Sequence, residues 1–161
     1  MMNSAVRKAT ATSQIRCATT SDLPVCAAII NNYIDATGWL PRTIDHTDVE
    51  ALFVPSLLEK RTMFVAEEHG EILGYLSMSD DGFVPALYLQ PAARNKGVGK
   101  ALLDTAKIAH PGGLELTVFE CNTSALRFYK REGFDEDPAR RDDATEEGIS
   151  TLWLRWPGGA Q

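Results

Sequence analysis

Arg94-Asn95-Lys96-Gly97-Val98-Gly99-Lys100 places two glycines among three cationic side chains, between a β-rich segment ending at Leu89 and a helical pattern. Glycine lets the backbone approach a ligand closely, and successive N–H groups at a helix N-terminus form a partial positive site for phosphate oxygens. A diphosphate is therefore the expected guest of residues 94–100. The spacing excludes two other phosphate loops. A Walker loop needs G-x-x-x-x-G-K-[ST], whereas Gly99-Lys100 is followed by Ala101 and no glycine stands five residues before Gly99. A dinucleotide fingerprint needs a third glycine where Leu102 stands. Taken alone, the glycines also suit a helix entry that only relieves strain.

A second constellation follows. Asn122, Ala125, Phe128, Tyr129, Gly133 and Phe134 read N-x-x-A-x-x-F-Y-x-x-x-G-F, a strand-to-helix turn, an aromatic pair and a helix stop. Together with Arg94-x-x-Gly97-x-Gly99, the strand Leu87-Tyr88-Leu89 and Pro91, this resembles the GNAT family of acyl-CoA-dependent N-acyltransferases. The resemblance is sharp over Leu87–Phe134, and the order of elements extends it from Ile15 to Trp156. It implies acetyl-CoA as co-substrate, with its diphosphate on the backbone of Arg94, Asn95, Lys96, Gly97, Val98, Gly99 and Lys100. Leu87 and Leu89 match a strand that splays from its neighbour near Leu116–Phe119 and pairs with the pantetheine arm. The Leu89 N–H would polarise the thioester carbonyl. Tyr129 matches a tyrosine that protonates the departing thiolate, and Asn122 an asparagine lining the same cleft. Tyr33 and Trp39 stand where relatives often cover the acceptor.

The chemistry is consistent with those roles. A neutral amine attacks the thioester, charge develops on oxygen, and sulfur leaves as a thiolate of pKa about 8–9, which a phenol of pKa about 10 can protonate. An alkyl amine of pKa about 10.4 must first lose a proton. The strand position that holds a glutamate base in some relatives is Phe83 here. Glu120 is the first substitute; Asp80, Asp81 and a water chain are alternatives. Bland readings stand beside these. Tyr129 can be packing, Asn122 a helix cap, and Cys121 a small filler without a nearby histidine.

Placing these residues requires a particular order of elements. Ile15–Ala18 reads as a strand, followed by a helix with Leu23, Cys26, Ala27, Ile30 and Ile34 on one face, up to Gly38. Thr47 and Glu50 suggest a capping box for a second helix that Pro55 must kink or divide. Met63–Glu67, Ile72–Ser79 and Phe83–Leu89 read as a three-stranded meander. A helix covers Val98–Ala109, a strand Leu114–Phe119 and a helix Thr123–Glu132. Closing strands start at Phe134 and span Ile149–Trp156, with Asp135–Gly148 as a charged loop. The expected class is α/β (α+β), a mixed, mostly antiparallel central sheet flanked by helices on both faces. One domain is expected over 15–157, with tails at 1–14 and 158–161.

Composition bounds the function. Sixteen Lys and Arg against 22 Asp and Glu leave a net charge of −6 in 161 residues, so no nucleic-acid partner is expected. No apolar stretch reaches the roughly 20 residues of a membrane helix, and no membrane association is expected. Met1–Ser13 lacks the apolar run of a secretory signal. The three cysteines form no C-x-x-C pair, and the three histidines have no metal-ligand spacing. A cytoplasmic protein without a metal is expected. The resemblance adds a homodimer through the C-terminal strands. The reaction expected is acetyl transfer to a primary amine in a ternary complex, the acceptor a small molecule. A non-catalytic acyl-CoA-binding sensor and a peptide or protein N-acetyltransferase are the alternatives.

Overall fold

The computed structural model describes residues 13–159, so nearly all of the expected tail at 1–14 and the last residues of 158–161 lie outside the described residues. Strand β1 (Gln14–Cys17) leads to helix α1 (Leu23–Ala36), followed by the short helices α2 (His46–Leu52) and α3 (Leu57–Lys60). Strands β2 (Thr62–Glu68), β3 (Glu71–Met78) and β4 (Ala86–Leu89) precede helix α4 (Val98–Ala109). Then come β5 (Leu114–Phe119), α5 (Thr123–Arg131), β6 (Asp135–Asp142) and β7 (Thr151–Trp156). The strands form two antiparallel sheets, ordered β1-β2-β3-β4 and β5-β7-β6. They meet through a parallel bridge from Phe83 to Glu115.

Alternation along β2 and β3 divides the core. Phe64, Ala66, Leu76 and Met78 face α4 and the second sheet, where Val98, Leu102, Leu103, Ala106 and Phe134 are buried. Met63, Val65, Ile72 and Tyr75 face α1, against Leu23, Cys26 and Ile29. Helices thus cover both faces, because each strand carries apolar side chains on both sides. Among the described residues no helix is long and apolar enough to cross a membrane.

Three expectations change. The strand expected over Phe83–Leu89 pairs with β3 only from Ala86 onward. Phe83 and Val84 turn to the second sheet, where the Val84 N–H donates to the Glu115 carbonyl at 2.8 Å. Pro85 separates the two halves and has no N–H to continue a ladder. The loop expected over Asp135–Gly148 is in fact a strand as far as Asp142. As an edge strand paired only with β7, β6 keeps its charges in solvent, and Arg140 lies 3.8 Å over the Trp153 ring while pairing with Glu115 at 2.7 Å. Finally, α2 is capped by Asp45, whose side chain accepts from the Asp48 N–H at 2.9 Å, and not by Thr47.

Asp22 pins the entry to α1. Its carboxylate accepts from the Thr19 N–H at 2.7 Å and from Arg16 at 2.8 Å, while Arg16 also reaches Glu67 on β2. The Arg16 guanidinium is the main cause that holds this nearly buried carboxyl at about 2, below the unfolded value of about 3.9. The resulting stabilisation, about 2 kcal/mol, is complete above pH 4 and lost as pH falls through 2. Asp22→Asn is expected to remove it at neutral pH and to flatten the stability curve between pH 4 and 2, measured by urea denaturation across that range.

Candidate active site

The parting of β4 from β5 opens a cleft of about 1240 Å3. Held together at Phe83–Glu115, the two strands diverge beyond Pro85. The Gln90 N–H donates to the Leu73 carbonyl on β3 at 2.8 Å. Peptide groups alternate along an antiparallel strand, so the N–H groups of Leu87 and Leu89 point away from β3, at the free edge of β4. Side chains alternate as well. Leu87 and Leu89 pack towards α4, whereas Ala86 and Tyr88 pack on the α1 side. One four-residue strand therefore offers backbone donors to the cleft and a phenol to its other wall.

The glycine turn forms one end of this cleft. Gly97 is the N-cap of α4 with φ +83°, a conformation that costs an L side chain about 1–2 kcal/mol. Beyond it the first N–H groups of α4 have no partner within the helix. Arg94, Asn95, Gly97, Gly99 and Lys100 line the cleft. The Lys96 side chain is exposed beside the turn, and that of Val98 lies in the core at 4% exposure, so Val98 has only its backbone to offer. The Lys100 ammonium is held by Glu132 at 3.1 Å and Asp104 at 3.2 Å. With Lys100 paired, the backbone dipoles, Arg94 and Lys96 carry most of the positive potential of the turn.

A Cβ on Gly99 would lie 3.6 Å from Phe128 and 3.7 Å from Leu89, ordinary contact distances. The fold therefore tolerates alanine there, and helix propensity favours it by up to about 1 kcal/mol. Gly99→Ala is expected to keep or raise Tm while weakening acetyl-CoA binding about tenfold, a loss of about 1.4 kcal/mol, measured by calorimetry. An unchanged Kd would show that the close approach at Gly99 has no part in binding.

Helix α5 brings Asn122 and Tyr129 to the same cleft. Asn122 combines the cap and cleft readings: its side chain accepts from the Ala125 N–H at 3.2 Å and donates to the Tyr33 hydroxyl at 3.4 Å. Tyr129 packs on Phe128 and Phe134, with ring centroids 5.0 and 5.5 Å apart. Burial pushes its hydroxyl well above the ordinary value, helped by Tyr88 and Tyr33. Tyr88 is itself pushed up to about 12, again mainly by burial. Tyr33 lies 5.0 Å from Tyr88, and Trp39 meets Phe119 edge-on at 5.7 Å. The structure thus brings Tyr33 and Trp39 into the cleft wall.

The carboxylates expected as bases lie elsewhere. Glu120 is exposed at the end of β5, outside the cleft lining, and both its oxygens accept from Arg141, at 2.7 and 3.2 Å. That guanidinium holds the carboxyl below its ordinary range, which makes it a poorer base. Asp81 accepts from Ser79 in the β3–β4 turn, and Phe83 packs on Trp153 at 5.5 Å. Several cleft residues were not among the expected site residues, among them Tyr88, Arg127, Arg131 and Glu147. Tyr88 was discernible from the alternation in Ala86-Leu87-Tyr88-Leu89. Glu147, in the loop between β6 and β7, belongs in sequence to an acidic run that reads as a solvated loop able to steer a cationic amine, and nothing in the run marks Glu147 apart from its neighbours. Among the described residues no cluster of three or more His, Cys, Asp and Glu could hold a metal ion.

A cleft that presents a helix end to phosphates and a free strand edge to an acyl group defines an acyl-CoA acyltransferase. Known proteins agree with that class. Residues 59–136 match the family model described as an acetyltransferase (GNAT) domain. The peptidyl-lysine N-acetyltransferase YiaC of Escherichia coli K12 is 32% identical over 146 residues, covering 89% of this chain and 96% of that protein. The L-amino acid N-acyltransferase MnaT of the same strain is 29% identical over 138 residues, covering 74% and 78% respectively. The solution structure of apo YjaB from E. coli superposes with a TM-score of 0.72 at 28% identity, over 91% of this chain and 99% of that one. The chain belongs to the GNAT acetyltransferase family and is an acetyl-CoA-dependent N-acetyltransferase.

Proposed function

We propose that the enzyme acetylates a primary alkyl amine without a neighbouring carboxylate, best represented by a lysine side chain in a peptide or protein. The observation that carries this reading is the make-up of the acceptor wall. Helix α1, the loop at 37–44 and α2 contribute only aromatic, aliphatic and hydroxyl side chains, among them Tyr33, Trp39, Ile44 and Phe53. The cations lining the cleft, Arg94, Lys100, Arg127 and Arg131, belong to the glycine turn and α5. None of those three elements lines the cleft with a cation of its own; the one cation stacked on the wall, Arg94, lies 5.9 Å over the Tyr33 ring and belongs to the turn proposed to hold the diphosphate. A free α-amino acid would therefore bring its carboxylate to a wall without a dedicated partner, a costly desolvation. A lysine stem is instead a flexible apolar chain that packs well on aromatic surface. The rim residues Trp39, Ile44 and Leu52 are 38%, 41% and 58% exposed and offer apolar contact to the flanking peptide.

In the reaction proposed here, the acceptor nitrogen, once neutral, attacks the thioester carbon. The Leu89 N–H stabilises the oxyanion and Tyr129 gives its proton to the sulfur as the C–S bond breaks. The amine proton leaves through water to solvent. The similarity to YiaC supports a lysine acceptor. A free small amine, the acceptor expected from sequence, is the second reading, favoured by the similarity to MnaT. Thiol release with acetyl-CoA is the test, comparing Nα-acetyl-lysine amide and a lysine peptide with free α-amino acids. The blocked lysine is expected to have the higher kcat/KM; a preference for free amino acids would overturn the reading.

A further inference from the structure

We propose that Glu147 is the specificity-determining residue of the acceptor site, holding the incoming amine as its ammonium ion. The inference rests on the alkyl-amine reading above and deepens it. Glu147 comes from the loop between β6 and β7, yet lines the same cleft as Tyr33, Tyr88 and Trp39. It is half-buried, whereas its neighbour Glu146 is exposed and lies outside the cleft. Its negative charge reaches Tyr88, where it adds to the burial that keeps that phenol protonated.

The contrast with nearby carboxylates is what sets Glu147 apart. Asp143 and Glu120 accept from Arg141, and Glu115 from Arg140. Glu132, also in the cleft, is bound to Lys100 and nearly buried. Among the described residues no cation pairs with Glu147, so the one carboxylate facing the aromatic wall has its charge uncompensated there. A half-buried carboxylate in that state attracts a cation more strongly than one in open solvent, because screening is weaker.

The loop is built to hold that position. The Gly148 N–H donates to the Thr145 carbonyl at 3.0 Å, closing a turn with Glu147 at its third residue. The Thr145 hydroxyl donates to the Ile149 carbonyl at 2.6 Å and accepts from the Ile149 N–H at 3.1 Å. Asp143, clamped between Arg141 and Ser150, anchors the start of the loop. An alkylammonium bound here would have a carboxylate at its head and the Tyr88 ring on the same cleft wall, while the Tyr33 ring already carries the Arg94 guanidinium at 5.9 Å.

The experiment is steady-state kinetics of Glu147→Gln, Glu147→Asp and wild type with Nα-acetyl-lysine amide, at low and high salt. Circular dichroism and the KM for acetyl-CoA serve as folding controls. Glu147→Gln is expected to raise the acceptor KM about tenfold and to flatten the salt dependence of kcat/KM, with partial rescue by Glu147→Asp. A merely structural role for Glu147 would not change the salt dependence. Wild type that acetylates the blocked lysine while Glu147→Gln keeps both acceptor KM and salt dependence would overturn this inference alone. Wild type that acetylates free amino acids but not the blocked lysine would overturn the acceptor reading and this inference with it.

Discussion

Replacing Tyr129 by phenylalanine is expected to lower kcat at least about a hundredfold, in the range that a positioned proton donor contributes, with the KM for acetyl-CoA little changed. The ring packs on Phe128 and Phe134, so phenylalanine keeps the contacts and removes only the hydroxyl. Burial keeps that hydroxyl protonated well beyond the ordinary phenol range. In wild type the donor form is therefore present at every working pH. kcat/KM should rise with pH as the acceptor amine is deprotonated, without a fall due to Tyr129 below about pH 10. Stopped-flow or thiol-release kinetics on both proteins checks the first expectation, and a pH–rate profile the second. If Tyr129→Phe turned over at the wild-type rate, the thiolate would be leaving without this donor.

Leu89→Pro is expected to lower kcat about 10²–10³-fold, the usual cost of removing one oxyanion donor, whereas Leu89→Ala is expected to keep most of it. The comparison isolates one N–H group. Gln90 donates to β3, so by alternation the Leu89 N–H stands outside that ladder. Proline at such an edge position leaves the sheet's hydrogen bonds intact. Both variants lose side-chain packing against the core, but only proline loses the donor. Equal activity in the two would assign the oxyanion to another group, and a paired loss in Tm would show that the damage is to packing.

Gly97, Gly99 and the Leu87-Tyr88-Leu89 segment make the glycine turn and its strand legible because they use backbone chemistry within contiguous segments, whereas the break at Pro85 was not read. A left-handed N-cap restricts which residues fit, and so marks the sequence. Element order and the α/β class follow similarly from apolar periodicity, and Pro55 divides a helical stretch as expected. Edge strand β6 was not legible, since its charges and Pro138 carry no strand period and only pairing with β7 makes it one.

The carboxylates mark the boundary most clearly. Glu120 sits beside Asn122 in sequence and looked like a base, but Arg141, 21 positions on, takes both its oxygens. Glu147 carries no motif, yet the turn closed by Thr145 brings it to the aromatic wall. That wall is assembled from α1, the loop at 37–44, α2, β4 and the β6–β7 loop. A carboxylate's role depends on which cations and rings reach it, 21 positions away for Glu120 and Arg141 and 59 for Glu147 and Tyr88. The sequence by itself determined the glycine turn and the strand before it, a local arrangement of backbone N–H groups proposed to hold the acyl donor. Only the tertiary structure assembled the aromatic wall proposed to receive the acceptor, because charge pairing and burial are set by distance in space and not along the chain.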